Sequence, residues 1–106
     1  MPTAGENLRI QRRRQNWGLT EAASFYRVSM AKYASWELDL SGGAPRAKVG
    51  LLCEHEVCFL ALGRHRMGLD QTAKEFGLDR EALHEMLFGR TPCVSLTLAL
   101  IDRGML

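Results

Sequence analysis

No stretch of this chain approaches the roughly eighteen consecutive apolar residues that a membrane-spanning helix needs. Its start also lacks the basic, apolar and small-residue succession of an export signal. Both absences make the cytoplasm the expected compartment and leave the membrane out of the expected partners. Cysteine is scarce and odd in number: Cys53, Cys58 and Cys93 suit reduced thiols rather than a disulfide framework. The run Cys53-Glu54-His55-Glu56-Val57-Cys58 does not have the spacing of a zinc knuckle, and no second Cys/His pair follows to complete four ligands. No metal and no cofactor are expected. Strand-like alternation of any length is also missing, which leaves an all-α chain. There is no paired acid site in an apolar setting and no nucleophile with a base at recognisable spacing. Ser41-Gly42-Gly43 lacks the strand and lysine of a phosphate loop. An enzyme is not expected.

What is present is ordinary in bulk and uneven in distribution. At 106 residues, 46% hydrophobic and 25% charged, the chain can bury a core as one compact domain or as two small lobes, without disulfides or metal. Residues 1–50 hold eight Lys/Arg against four acids, a net +4, whereas residues 51–106 hold six against eight, a net −2. A polyanion is drawn to the first half and mildly repelled by the second.

The most informative feature is internal. Residues 17–39 and 67–89 align without a gap at an offset of 50. Identity is low, yet the physical pattern recurs: Gly-Leu at the entry (Gly18-Leu19, Gly68-Leu69), a small Ala23 or Ala73, a tight turn before Val28 or Leu78, a cap at Ser29 or Asp79, then an inward Tyr33 or Leu83. Each copy reads as helix, turn, helix. The expected division is 1–52 and 53–106, two tandem units packed as one compact or bilobed helical domain. Expected helices run over about Glu6–Gln15 (closed by Gly18), Thr20–Tyr26 (capped by Thr20) and Ser29–Leu38. A loop at Asp39–Ala44 follows, then a helix opened by Pro45 through Val49, Leu51 and Leu52 towards Leu60. The second copy's helices fall at about Val57–Arg66, Asp70–Phe76 and Asp79–Phe88, with a last apolar helix at Val94–Arg103. Short helices of this kind need packing, for which Trp17, Leu19, Ala23, Tyr26, Val28, Tyr33 and Trp36 are available.

At Val28-Ser29, Tyr33, Trp36-Glu37 and the downstream Pro45 the first copy resembles the phage-repressor, or Xre/Cro-like, helix-turn-helix family. The resemblance covers residues 8–52 well and 57–103 more loosely. It implies a recognition helix whose first turns face base edges in the major groove, with phosphate contacts from the helices before it. Carried onto this sequence, the DNA-reading side chains are Ser29, Met30, Lys32 and Ser35, with Ala34 beside them; Lys32 can donate to guanine and Met30 can touch a thymine methyl. Arg12, Arg13 and Thr20 are the phosphate candidates. The resemblance also implies that one arginine of Arg12-Arg13-Arg14 pairs with Glu37, and that Trp36 packs rather than stacking on a base.

In the second copy the same face reads Asp79, Arg80, Glu81, His84 and Glu85. Three carboxylates oppose entry into a groove lined by phosphates, and Met86-Leu87 replaces Trp36-Glu37. Met86-Leu87-Phe88 are consecutive, about 100° apart on a helix, so they cannot share one narrow core stripe. Asp79, Glu81, Glu85, Met86 and Phe88 therefore form a candidate protein interface. The leading expectation is a transcriptional regulator that binds duplex DNA through the first copy as a homodimer. The second copy then serves dimerisation or contact with another protein. The alternative is an antiactivator, antitoxin or phage-type inhibitor that binds a protein through a helix-turn-helix fold.

Overall fold

The computed structural model describes residues 2–106 and contains, among them, seven α-helices and no strand. They are α1 (Ala4–Arg14), α2 (Leu19–Phe25), α3 (Met30–Glu37), α4 (Glu54–Arg64), α5 (Leu69–Phe76), α6 (Arg80–Leu87) and α7 (Val94–Asp102). The chain divides into two compact units, Met1–Leu51 and Leu52–Leu106. In the first, α1 and α2 pack on α3 around Leu8, Ala22, Ala23, Tyr33, Trp36 and Ala47, with Trp17, Tyr26 and Val28 at the margin. In the second, α4 packs on α6 and α7, and α5 on α6. Its core is Cys58, Ala61, Leu62, Ala73, Leu83, Leu87, Cys93, Leu96 and Leu100.

The repeat extends further upstream than the sequence alignment. α1 and α4 start 50 residues apart and have equal lengths of 11 residues. Both open on a glutamate at the third helical position that reaches back to the preceding cap: the Thr3 amide donates to Glu6 Oε1 and the Cys53 amide to Glu56 Oε1, each at 2.9 Å. This satisfies an amide that the helix itself leaves open. Left-handed residues follow the same offset, with Asn16 and Arg66, Arg27 and Gly77, and Asp39 and Gly89 all at positive φ. Each pair terminates equivalent helices.

Three local expectations are corrected. Thr20 does not cap α2: the cap is Gly18, whose amide donates to Glu21. The carboxylate at the third position satisfies the cap's own amide instead, and no side-chain oxygen caps the helix. Gly18 accordingly opens α2, and α1 is closed by Gln15 and the left-handed Asn16. Pro45 does not open a helix. Residues 44–50 are irregular, and the next helix waits for the Cys53 cap. In that segment Ala47 and Val49 are buried while Arg46, Lys48 and Gly50 are exposed, a two-residue alternation that no single helix face accommodates. Arg14 donates to the carbonyls of Val49 and Leu51, which meets backbone needs without helical bonds. The equivalent stretch of the second unit is α7, where Leu96 and Leu100 are four apart and fully buried.

Candidate nucleic-acid interface

α3 is fixed from below and open above. The Ser29 hydroxyl caps it by accepting from the Lys32 amide at 3.1 Å, and its inward face carries Tyr33, Trp36 and Glu37, all buried. Tyr33 donates its hydroxyl to the Leu8 carbonyl at 3.3 Å. Burial and the nearby Glu37 carboxylate both push its pKa up, so it remains a neutral donor. Glu37 is held by Arg12, whose Nε and Nη2 donate to the two carboxylate oxygens at 2.6 and 3.1 Å. Arg9 donates to the Glu37 carbonyl at 3.3 Å. Charge-assisted, bidentate geometry of this kind fixes direction as well as distance, and the Glu37 bond raises the Arg12 pKa further. Gly5 lets α1 approach α3 closely, since a Cβ there would meet the Trp36 and Glu37 carbonyl oxygens at 2.5 Å.

The outward face of α3 exposes Met30, Ala31 and Lys32 and leaves Ala34 and Ser35 partly buried. Lys32 Nζ lies 5.8 Å from the Trp36 ring centroid, and the Thr20 hydroxyl donates to Met30 Sδ at 3.6 Å. No carboxylate stands on this face. Some of the expected reading atoms have local duties. Ser29 Oγ is the cap, and Ser35 Oγ donates to the Lys32 carbonyl at 2.7 Å and lies 2.7 Å from Ser41 Oγ. Arg12 is the arginine of Arg12-Arg13-Arg14 that pairs with Glu37, so its guanidinium already has a structural duty, and Arg13 is half-buried. Of the expected DNA contacts, Met30, Lys32 and Thr20 are left facing solvent; Ala31 is exposed beside them on α3, and Leu19 and Glu21 beside Thr20 on α2.

The same unit exposes three cations that sequence reasoning passed over: Arg27 in the α2–α3 turn, and Arg46 and Lys48 beyond α3. The alternation Arg46-Ala47-Lys48-Val49 was the available signal, and the expectation of a helix there concealed it.

The equivalent face of the second unit is charged and internally paired. Asp79 caps α6, its Oδ2 accepting from the Ala82 amide at 3.2 Å. Arg80 binds Asp70 at 2.6 Å, and Arg90 binds Glu85 at 3.3 Å. An open groove of about 430 Å³ is lined by Leu69, Arg80, Glu81, His84, Glu85 and Arg90. Of the three carboxylates marked for protein contact, Asp79 and Glu85 have intramolecular partners, whereas Glu81 has none among the described residues. The apolar trio separates as its helical angles demand: Leu87 is buried, Met86 packs against the core, and Phe88 is exposed. His84 lies against Phe88 with ring centroids 4.5 Å apart. Met86 is thus partly buried against its own core, and Phe88 is the most exposed of the three.

The cysteines occupy unlike surroundings. Cys53 is exposed and Cys58 and Cys93 are buried. Cys93 Sγ donates to Glu54 Oε1 at 3.0 Å, and burial, then this carboxylate, raise its pKa to about 11. It therefore stays a thiol at neutral pH.

No protein-family model, curated protein or solved structure matches the chain.

Proposed function

We propose that this protein is a transcriptional regulator that binds duplex DNA through α3 of its first unit, as a homodimer, with the second unit serving protein contact. The observation that carries the reading is the difference between two faces built on one backbone plan. The exposed face of α3 offers Met30 and Lys32 with no carboxylate, whereas the equivalent α6 face carries Asp79, Glu81 and Glu85. Net charge follows the same division, +4 against −2. A methionine and a lysine on the first turn of an exposed helix suit a thymine methyl and a guanine edge. Arg27, Arg46 and Lys48 supply cations without ion-pair partners among the described residues, suited to phosphates.

The test is a salt-dependent titration on random and on selected duplexes. Met30→Ala with Lys32→Ala is expected to cost about 1–3 kcal/mol on the selected site and to leave the thermal melt unchanged, because both side chains are solvent-facing. Undiminished binding by the double variant would remove α3 as the reader.

A second reading, in which the chain acts chiefly by binding another protein, draws on the groove at Glu81 and His84. An absence of any salt-dependent duplex binding, with capture of a partner abolished by Glu81→Lys, would favour it over the first.

A further inference from the structure

We infer that the outward face of α7 is a self-association surface, on which two copies of this chain pair antiparallel about a twofold axis at Leu98. α7 is apolar on two sides. Leu96 and Leu100 are fully buried in the core, yet Val94, Leu98 and Ile101 remain 55%, 60% and 53% exposed. Their spacing of four and then three residues places them on one helical face, so they form a continuous stripe rather than scattered single exposures. Side chains of this size left in water forgo the burial that normally drives association.

The occupant is identified by charge. Asp102 ends α7 with no partner among the described residues, and it lies at the negative end of its own helix dipole, where a carboxylate is unfavourable. The opposite end of α7 has the reverse character. Its cap, Cys93, makes no side-chain bond to the helix amides, and its first turn holds no acid; the neighbouring Glu54 carboxylate is taken by the Cys93 thiol. Antiparallel pairing sets each Asp102 against the first turn of the other α7, beside Ser95. It satisfies both ends twice with one surface. Ser95 and Asp102 are seven residues apart and flank the same side of the stripe, so symmetry brings them together across the axis. A parallel pair would put both Asp102 at the same end of the contact, away from either first turn. The twofold arrangement also closes on itself, which limits the assembly to two chains. The inference deepens the DNA reading, resting on it only for the purpose of the dimer, which is to present two α3 helices.

Sedimentation equilibrium of the full chain, without DNA, tests the inference. The parent is expected to show a concentration-dependent monomer–dimer equilibrium, and Leu98→Glu to weaken it by more than about tenfold, since it puts a charge at the centre of the contact. The melt should be retained because Leu98 is exposed. Asp102→Lys is expected to weaken association although it suits its own helix end better than aspartate. Adding Ser95→Asp to Asp102→Lys should restore association, and because the two positions lie about 10 Å apart along one helix, the rescue must run between chains. A monomeric parent, a dimer indifferent to Leu98→Glu, or a failure of the charge-reversed pair would each overturn the proposal. Loss of duplex binding with this dimer intact would count against the α3 reading alone, and a chain that binds DNA as a monomer would count against α7 and against the homodimer of the proposed function while leaving α3 as the reader.

Discussion

Arg12 and Glu37 in the first unit stand where Leu62 and Leu87 stand in the second, an ion pair and an apolar pair solving one packing position. Glu37 and both leucines are buried, and Arg12 is mostly so. Removing one partner of a buried pair leaves the other charge without its counterion, at a cost of about 3–5 kcal/mol, whereas exchanging both for apolar groups is often neutral. Arg12→Leu or Glu37→Leu alone should therefore lower the urea midpoint markedly, with the cost at the lower end because Arg12 keeps some solvent. The double variant should recover most of the loss, and two additive single effects would show that the pair does not act as a unit. At Cys93 the consequence is a dependence on pH. Its folded pKa of about 11 lies above the ordinary 9.0, so the folded chain keeps a proton that the unfolded chain releases. The stabilisation is complete below about pH 9 and is lost as pH rises towards 11, at no more than about 1.4 kcal/mol per pH unit. Denaturation at a series of alkaline pH values should show this slope, and Cys93→Ala should remove it. A slope unchanged in the variant would assign it elsewhere.

Helices with equivalent places need not touch in the same way. In the first unit Asp39 accepts from the Thr3 hydroxyl at 2.7 Å and from the Gly5 amide at 3.0 Å, a contact made while Gly5 leaves room for the Trp36 and Glu37 carbonyls. In the second unit the sizes are exchanged. His55 stands where Gly5 does and Gly89 where Asp39 does, and a Cβ on Gly89 would lie 2.7 Å from the His55 ring. Gly89→Asp alone should then destabilise by about 1–3 kcal/mol through overpacking. His55→Gly with Gly89→Asp should regain part of it, as read from thermal melts, since Asp39 shows that aspartate tolerates this left-handed position. No regain would mean that the exchange is not a local compensation. These reciprocal choices also explain what the sequence could reveal. The helix class, the Ser29 and Asp79 caps, and the inward Tyr33, Trp36 and Leu83 were legible because they follow from period and capping chemistry. The α1–α4 repeat was hidden because Leu8 and Cys58, or Arg12 and Leu62, satisfy one position with unlike chemistry. The irregular segment at 44–50 was hidden because its backbone partner, Arg14, lies more than thirty residues upstream.

At the scale of the whole chain the two units divide charge, and this division makes the functional reading measurable. Each phosphate neutralised by a lysine or arginine contributes roughly 0.9 to the slope of log affinity against log salt on duplex DNA. If the first unit carries the contact, Arg46→Ala with Lys48→Ala should reduce the slope by about two and weaken random and selected duplexes alike, because phosphate contacts carry no sequence information. Met30→Ala with Lys32→Ala should instead reduce the preference for the selected duplex over the random one. Lys74 is exposed on α5 of the second unit and serves as the control: Lys74→Ala removes one positive charge from the chain without touching the first unit. It should leave the slope unchanged, as Glu81→Gln should, beyond the small long-range effect of net charge. A slope that falls with Lys74 and persists without Arg46 and Lys48 would place the duplex on the second unit. The acid-bearing helix would then be the one that reads, and its arginines would have to leave Asp70 and Glu85 to do so.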